Sequence, residues 1–195
     1  MSRPIILDVG GGSGEWSRPY RLAGYDVRII DPTVWPFKRA QDIGAPVHNI
    51  IFAQDVRGIL LAPPCTEFAG SGARWWAGKE PTLLEHAVHT VRMFLHLVEI
   101  YEPAWWALEN PVGRLAKCVP ELGPYSYTWH PWEFGDPEVK RTCMWGNHNR
   151  PVPTVTERPE IVNARVHRLG PSPDRARLRS ITPAGFARAF YESNP

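Results

Sequence analysis

The sequence predicts an α/β fold, a mostly parallel, doubly wound sheet with helices on both faces. Short apolar runs at 5–9, 27–31, 58–62 and 105–108 alternate with helical or irregular stretches. The first run leads through a glycine-rich turn into a helix and a second strand, which is a βαβ unit. Three of the four runs end in clusters able to carry chemistry, and the carboxyl ends of parallel strands are where such sheets place it.

The first strand is Ile5-Ile6-Leu7-Asp8-Val9, followed by a helix over 15–23 and a strand over 27–31. After an irregular, proline-containing stretch, the apolar run 58–62 is short enough for a buried strand and is stopped by Pro63 and Pro64. Residues 66–81 are glycine-rich around Trp75 and Trp76. A helix over 82–101 then carries Leu84, Val88, Val91, Leu95 and Val98 on one stripe, with Thr82 as N-cap and Glu85 three residues on. The run 105–108 ends at Glu109-Asn110-Pro111, 140–145 reads as a strand, and 146–180 is rich in proline and arginine with little periodicity. A last helix over 183–192 opens on Pro183. There is no repeat, and the 195 residues are read as one domain.

No apolar run approaches a membrane span and no signal-peptide core follows the opening, so a soluble, cytoplasmic protein is expected. Three cysteines without a Cys-x-x-Cys pair suggest neither a disulfide framework nor zinc. His86, His89 and His96 share the long helix, but no carboxylate or cysteine completes a ligand set, and no metal is expected. Net charge is only +2, yet 138–188 hold ten Lys/Arg against four Asp/Glu. A phosphate-binding surface and a solvated basic tail both give that count.

Asp8-Val9-Gly10-Gly11-Gly12-Ser13-Gly14 fits Asp-x-Gly-x-Gly-x-Gly between a strand and a helix. Glycines there let the backbone approach a ligand, and the helix start offers free N–H groups. Glu15 stands where a dinucleotide fingerprint needs glycine, which argues against NAD. Asp31, closing the second strand, is placed to accept hydrogen bonds from a ribose diol. An adenine contact near His48, Asn49 and Ile50, or at Asp55, stays open.

Pro63-Pro64-Cys65-Thr66-Glu67-Phe68 and Glu109-Asn110-Pro111 are where the chain resembles the cytosine-C5 DNA methyltransferase family, and in particular its compact phage-type members. That resemblance covers most of the chain. It implies a Rossmann-like S-adenosylmethionine-dependent methyltransferase fold over 1–195, with 146–180 as a reduced, basic target-recognition-like insert and 181–195 returning to the cofactor site. Carbon 5 of cytosine is a poor nucleophile, so the chemistry needs covalent addition at carbon 6, which a thiolate performs well. By resemblance Cys65 makes that addition and Glu109, at least partly protonated by burial, hydrogen-bonds ring nitrogen 3. Asn110 holds the Cys65 loop, with Pro111 where many relatives have valine. Arg141 matches the second arginine of the family's Arg-x-Arg strand, while Val139 holds the first position and Lys140 stands between. S-Adenosyl-L-methionine is the implied cofactor, with Asp8, Gly10, Gly12, Gly14, Asp31, Asn49, Pro63 and Ser180 as its contacts.

Between Gly146 and Ser180 only 33 residues remain for recognition, and their arginines suit phosphates better than a long sequence. The expectation is relaxed or very short specificity on DNA, by a monomer that flips its target base. Thr66, Arg74, Trp75, Lys140 and Arg177 are the expected substrate contacts, with Gly70, Gly72 and Gly78 as hinges of a mobile loop. Most of the nine tryptophans must pack in the core. Three alternatives stay open: a free pyrimidine nucleotide, single strand or RNA as substrate; a modified, carboxylate-bearing donor; and a non-enzymatic cofactor- or DNA-binding relic.

Overall fold

A computed structural model describes residues 3–31, 55–160, 170, 172 and 175–195, of 175–177 the backbone only. Its strands are β1 (Ile5–Val9), β2 (Asp26–Ile30), β3 (Val56–Leu61), β4 (Trp105–Pro111), β5 (Tyr127–Trp129) and β6 (Thr142–Trp145). The helices are α1 (Arg18–Leu22), α2 (Pro81–Tyr101), α3 (Leu115–Cys118), α4 (Arg175–Ser180) and α5 (Ala184–Ser193).

The six strands form one sheet in the order β2-β1-β3-β4-β6-β5. The first four are mutually parallel, β6 runs antiparallel to β4, and β5 antiparallel to β6. From β1 the chain moves to one side for β2 and to the other for β3 and β4. The switch point, with its crevice at the carboxyl ends, therefore falls between β1 and β3. This is the Rossmann-like, doubly wound α/β fold that the sequence predicts.

Alternation along the strands divides the core in two. Ile5, Leu7, Val9, Ile59, Leu61 and Leu108 face Phe68, Val91 of α2 and Leu115 of α3. Ile6, Leu60, Ala107 and Met144 face Trp16 and Tyr20 on one side and Phe186 and Phe190 of α5 on the other. Phe186 lies flat on Trp129, ring centroids 3.7 Å apart. The Tyr20 hydroxyl donates to the Asn194 carbonyl at 2.8 Å, and Asn149 exchanges hydrogen bonds with Asn194. Among the described residues no helix is long and apolar enough to cross a membrane, and no group of three His, Cys, Asp or Glu could hold a metal ion.

Several boundaries move. The first helix is confined to Arg18–Leu22, because 12–17 form turns, with Pro19 in its first turn. The long helix begins at Pro81 with Glu80 in the cap position and no side-chain cap, so the expected Thr82–Glu85 capping box does not form. β4 continues through Glu109 and Asn110, which are paired strand residues rather than a loop after the strand. Conversely, Lys140 and Arg141 precede β6. β5 was not foreseen, since three residues, Tyr127-Thr128-Trp129, carry too short a pattern to read. The stretch after Gly146 is partly built into the domain: Pro151 is buried and the Thr154 and Val155 N–H groups donate to the Glu133 carbonyl at 2.9 and 3.0 Å.

Removing the Phe186 ring leaves a hole between Trp16, Trp129 and Phe134. Phe186→Ala is therefore expected to lower unfolding free energy by about 3–5 kcal/mol in urea denaturation.

Candidate active site at the carboxyl ends of the parallel strands

The β1–α1 turn reverses through left-handed backbone at Gly10, Gly12 and Gly14, with φ of 75°, 45° and 68°. Its ends are tied to the neighbouring strands. The Gly10 N–H donates to the Ile30 carbonyl at 2.8 Å and the Ala62 N–H to the Val9 carbonyl at 2.9 Å. Left-handed backbone requires glycine at 10, 12 and 14, and a Cβ would also strike the Ala62 carbonyl at Gly10, the Asp8 carboxylate at Gly11 and the Ile29 side chain at Gly14. Gly12 differs. A Cβ there would meet only Asp31 Oδ2, at 3.6 Å, and its N–H donates to that same oxygen at 3.0 Å. Gly12 and Asp31 thus form the wall of a cradle between β1 and β2.

Asp8 lies elsewhere. On the α5 face of β1 it is fully enclosed and accepts a hydrogen bond from the Ser17 hydroxyl. Burial, with the Asp31 charge as a smaller contribution, pushes its carboxyl up to about 6, while the Ser17 hydrogen bond acts the other way. It lies beneath the glycine turn, against Gly11 and Ser17, rather than at the surface of the turn where the sequence reading set it.

Cys65 follows β3, and Glu109 and Asn110 lie in adjacent β4. The Asn110 side-chain amide donates to the Pro63 carbonyl at 3.1 Å, both residues being buried. This bond fastens the Pro-Pro-Cys turn to the neighbouring strand and brings Cys65 and Glu109 within electrostatic reach of each other. Burial pushes the Cys65 thiol up, and the Glu109 charge adds to that; Lys140 and Arg179 oppose both. The site therefore resists thiolate formation until the Glu109 charge is neutralised or the cations are strengthened.

The segment after Cys65, expected as a glycine-hinged loop, carries regular structure. Residues Gly70–Gly78 form a 3-10 helix, bound at both ends. Lys79 pairs with the buried Glu67 carboxylate at 2.7 Å and donates to the Thr66 carbonyl at 3.1 Å. Arg114 donates to the Glu67 carbonyl at 2.8 Å and covers the Trp76 ring, 4.2 Å from its centroid. Gly113 permits close approach to the Phe68 carbonyl, which accepts the Arg114 N–H at 2.9 Å. Trp76 is thereby pinned, whereas its neighbour Trp75 remains 61% exposed with Arg74 over its ring.

Beside the site opens a cleft of about 270 Å³ lined by Ser71, Pro111, Val112, His130, Val139, Lys140, Arg141 and Arg179. Arg141 is exposed and donates to Thr128 Oγ1 at 3.3 Å. His130 was not singled out in the sequence, and Arg179 only as one of the arginines of the basic 146–180 segment; no local motif marks their place, and only the fold brings them to Lys140 and Arg141. Of the remaining expected contacts, Pro63 accepts the Asn110 bond, Thr66 is exposed, and Ser180 ends the helix whose Arg179 lines the cleft. Asn49 and the Arg177 side chain lie outside the described residues. Asp55, at the amino end of β3 with its carbonyl accepting the Ile5 N–H, sits at the opposite end of the sheet from the crevice and cannot contact a cofactor there. Four of the described tryptophans, Trp16, Trp105, Trp129 and Trp145, are core residues.

No family model matches the chain. It is similar to the type II methyltransferase M.DdeI of Desulfomicrobium norvegicum (strain DSM 1741 / NCIMB 8310), with 26% identity over 125 residues, 57% of this chain and 28% of that protein. The chain thus spans under a third of the curated relative it matches. Among solved structures, it aligns with Entamoeba histolytica methyltransferase EhMeth at 13% identity and TM-score 0.43, covering 80% of this chain and 58% of that one. It also aligns with S. pombe Dnmt2 methyltransferase at 16% identity and TM-score 0.39, covering 74% and 49%.

Two measurements check this electrostatic layout. A carboxyl whose folded pKa is raised contributes stability that is present below its unfolded value near 4 and lost as pH rises through about 6. Asp8→Asn should therefore stabilise the fold at pH 8, by up to about 3 kcal/mol, and by less at pH 5, as followed by calorimetry. Iodoacetamide alkylation of Cys65 should titrate above an ordinary thiol, with the midpoint lowered in Glu109→Gln and raised further in Lys140→Met.

Proposed function

We propose that this protein transfers a methyl group from S-adenosylmethionine to carbon 5 of cytosine in DNA, with Cys65 as covalent nucleophile. The observation that carries the reading is the Asn110–Pro63 hydrogen bond, which sets Cys65 and Glu109 on adjacent strand ends beside a glycine-lined crevice. The motif resemblance and the similarity to M.DdeI support the same class of reaction.

The cradle fits the donor. The open side of Gly12 admits a ligand where a Cβ would intrude, and Asp31 stands at the end of β2, where a carboxylate meets a ribose diol. Bound there, S-adenosylmethionine supplies an electrophilic methyl group. Cys65 as thiolate adds to carbon 6 of the ring, so that an S–C bond forms and the 5,6 double bond opens toward carbon 5. The Glu109 carboxyl donates to ring nitrogen 3, drawing off the charge that the addition creates. While Glu109 keeps its proton in that hydrogen bond it is neutral and no longer opposes the thiolate, so base binding and nucleophile activation reinforce each other. After methyl transfer the carbon 5 proton leaves to a base, the double bond re-forms, and Cys65 departs as thiolate.

Trp75, Arg74 and the basic residues after β5 are the surface on which DNA is held, with Trp75 free to stack on an unpaired base. With so short a basic segment, recognition extends over one or two bases.

Incubation with S-adenosylmethionine and cytosine-containing DNA, followed by nucleoside mass spectrometry, should yield 5-methylcytosine. Cys65→Ala should abolish product and Asn110→Ala should lower kcat by about 10²-fold or more through misplacement of the thiol. Methylation at an amino nitrogen, or product undiminished in Cys65→Ala, would overturn the reading.

A further inference from the structure

We infer that the cleft lined by Ser71, His130, Lys140, Arg141 and Arg179 is an anion subsite that holds the backbone phosphate of the target nucleotide, with Arg179 and His130 completing it. The inference rests on the proposed function and specifies how that site grips its substrate.

The lining brings together residues from four distant segments: Ser71 from the 3-10 helix after Cys65, His130 after β5, Lys140 and Arg141 before β6, and Arg179 from α4. No carboxylate is among them. The cations are held by neutral oxygens: Lys140 donates to the Arg179 carbonyl at 3.1 Å, Arg141 to Thr128 Oγ1 at 3.3 Å, and Arg179 reaches Ser71 Oγ at 3.5 Å. Among the described residues none of these three cations forms an ion pair.

Two guanidinium groups and an ammonium around a concave space match a tetrahedral oxyanion, since guanidinium offers paired donors and ammonium a point charge. His130 adds a further polar group. Its side chain closes a capping box with Glu133, and Glu133, Arg141 and Arg158 act on the ring electrostatically.

The position suits a nucleotide. Pro111 and Val112 directly follow Glu109 and Asn110, and Lys140 and Arg179 exert their charge on Cys65. A base seated between Cys65 and Glu109 therefore has its phosphate beside this cleft. Arg179 also links α4 to Ser71, so an anion bound between them would draw the C-terminal segment onto the turn that carries Cys65.

Fluorescence anisotropy with a cytosine-containing oligonucleotide, and with the same oligonucleotide carrying neutral methylphosphonates on both sides of that cytosine, tests the subsite. The wild-type protein should prefer the charged oligonucleotide by about tenfold. Arg179→Gln and His130→Ala should each narrow that preference, and Arg179→Lys should largely restore it while showing that the position tolerates change without loss of fold. Arg179→Gln should also reduce the slope of log affinity against log salt by about 0.7–0.9. Equal binding of both oligonucleotides by the wild-type protein, or an undiminished preference in Arg179→Gln, would overturn the subsite while leaving the nucleic-acid reading intact. Failure to bind either oligonucleotide would remove the nucleic-acid reading, and the subsite with it.

Discussion

The hydrogen bond from the Asn110 amide to the Pro63 carbonyl is the contact on which the site depends. Proline supplies no N–H, so two successive prolines after β3 leave the turn without ladder hydrogen bonds to fix its path. Asn110, already immobilised by pairing with Cys143 in β6, provides that fixation from the next strand. The bond is buried, so losing it would leave the Pro63 carbonyl without its partner, at a cost of about 1–3 kcal/mol. Around it, the Arg114 backbone N–H and guanidinium bind the Phe68 and Glu67 carbonyls, and Lys79 closes on Glu67. The thiol turn is therefore held at its start, its middle and its end by groups belonging to β4 and the segment after it.

Charge is divided along the mouth of the sheet. On the glycine-turn side stand two carboxyls, Asp8 and Asp31, one enclosed and one facing the cradle. On the far side stand Lys140, Arg141 and Arg179. Cys65 and Glu109 lie between, where burial and the Glu109 charge raise the thiol and the cations restrain it. Under the proposed function, such a balance would keep Cys65 quiescent in the free protein and let a substrate that hydrogen-bonds Glu109 release it.

The parts of this arrangement that were legible in the sequence are those written in local spacing. The glycine turn, the Pro-Pro-Cys cluster and the Glu-Asn pair each announce a strand end, and the βαβ opening gives the parallel sheet. What stayed hidden depends on long-range partners. Asp8 reads as a cofactor contact because it leads the glycine motif, yet strand alternation turns it to the α5 face and onto Ser17. Thr82 resembles a cap, but Pro81 can occupy the first helical turn at no hydrogen-bonding loss, so the helix starts one residue earlier. The glycines after Cys65 suggest a hinge until Glu67, Lys79, Arg114 and Trp76 are seen to close around them. His130 and Arg179 carry no signal of their own, because only the β5–β6–α4 arrangement gives them a common cleft.

Whether Cys65 attacks a cytosine ring is the central question, and covalent trapping answers it directly. With S-adenosylmethionine and an oligonucleotide in which 5-fluorocytosine replaces the target base, elimination is blocked because carbon 5 carries no removable proton. The expected product is a denaturation-resistant protein–DNA adduct that peptide mass spectrometry maps to Cys65 and that is absent in Cys65→Ala. Binding of both donor and oligonucleotide with no adduct, or an adduct at Cys118 or Cys143, would contradict it.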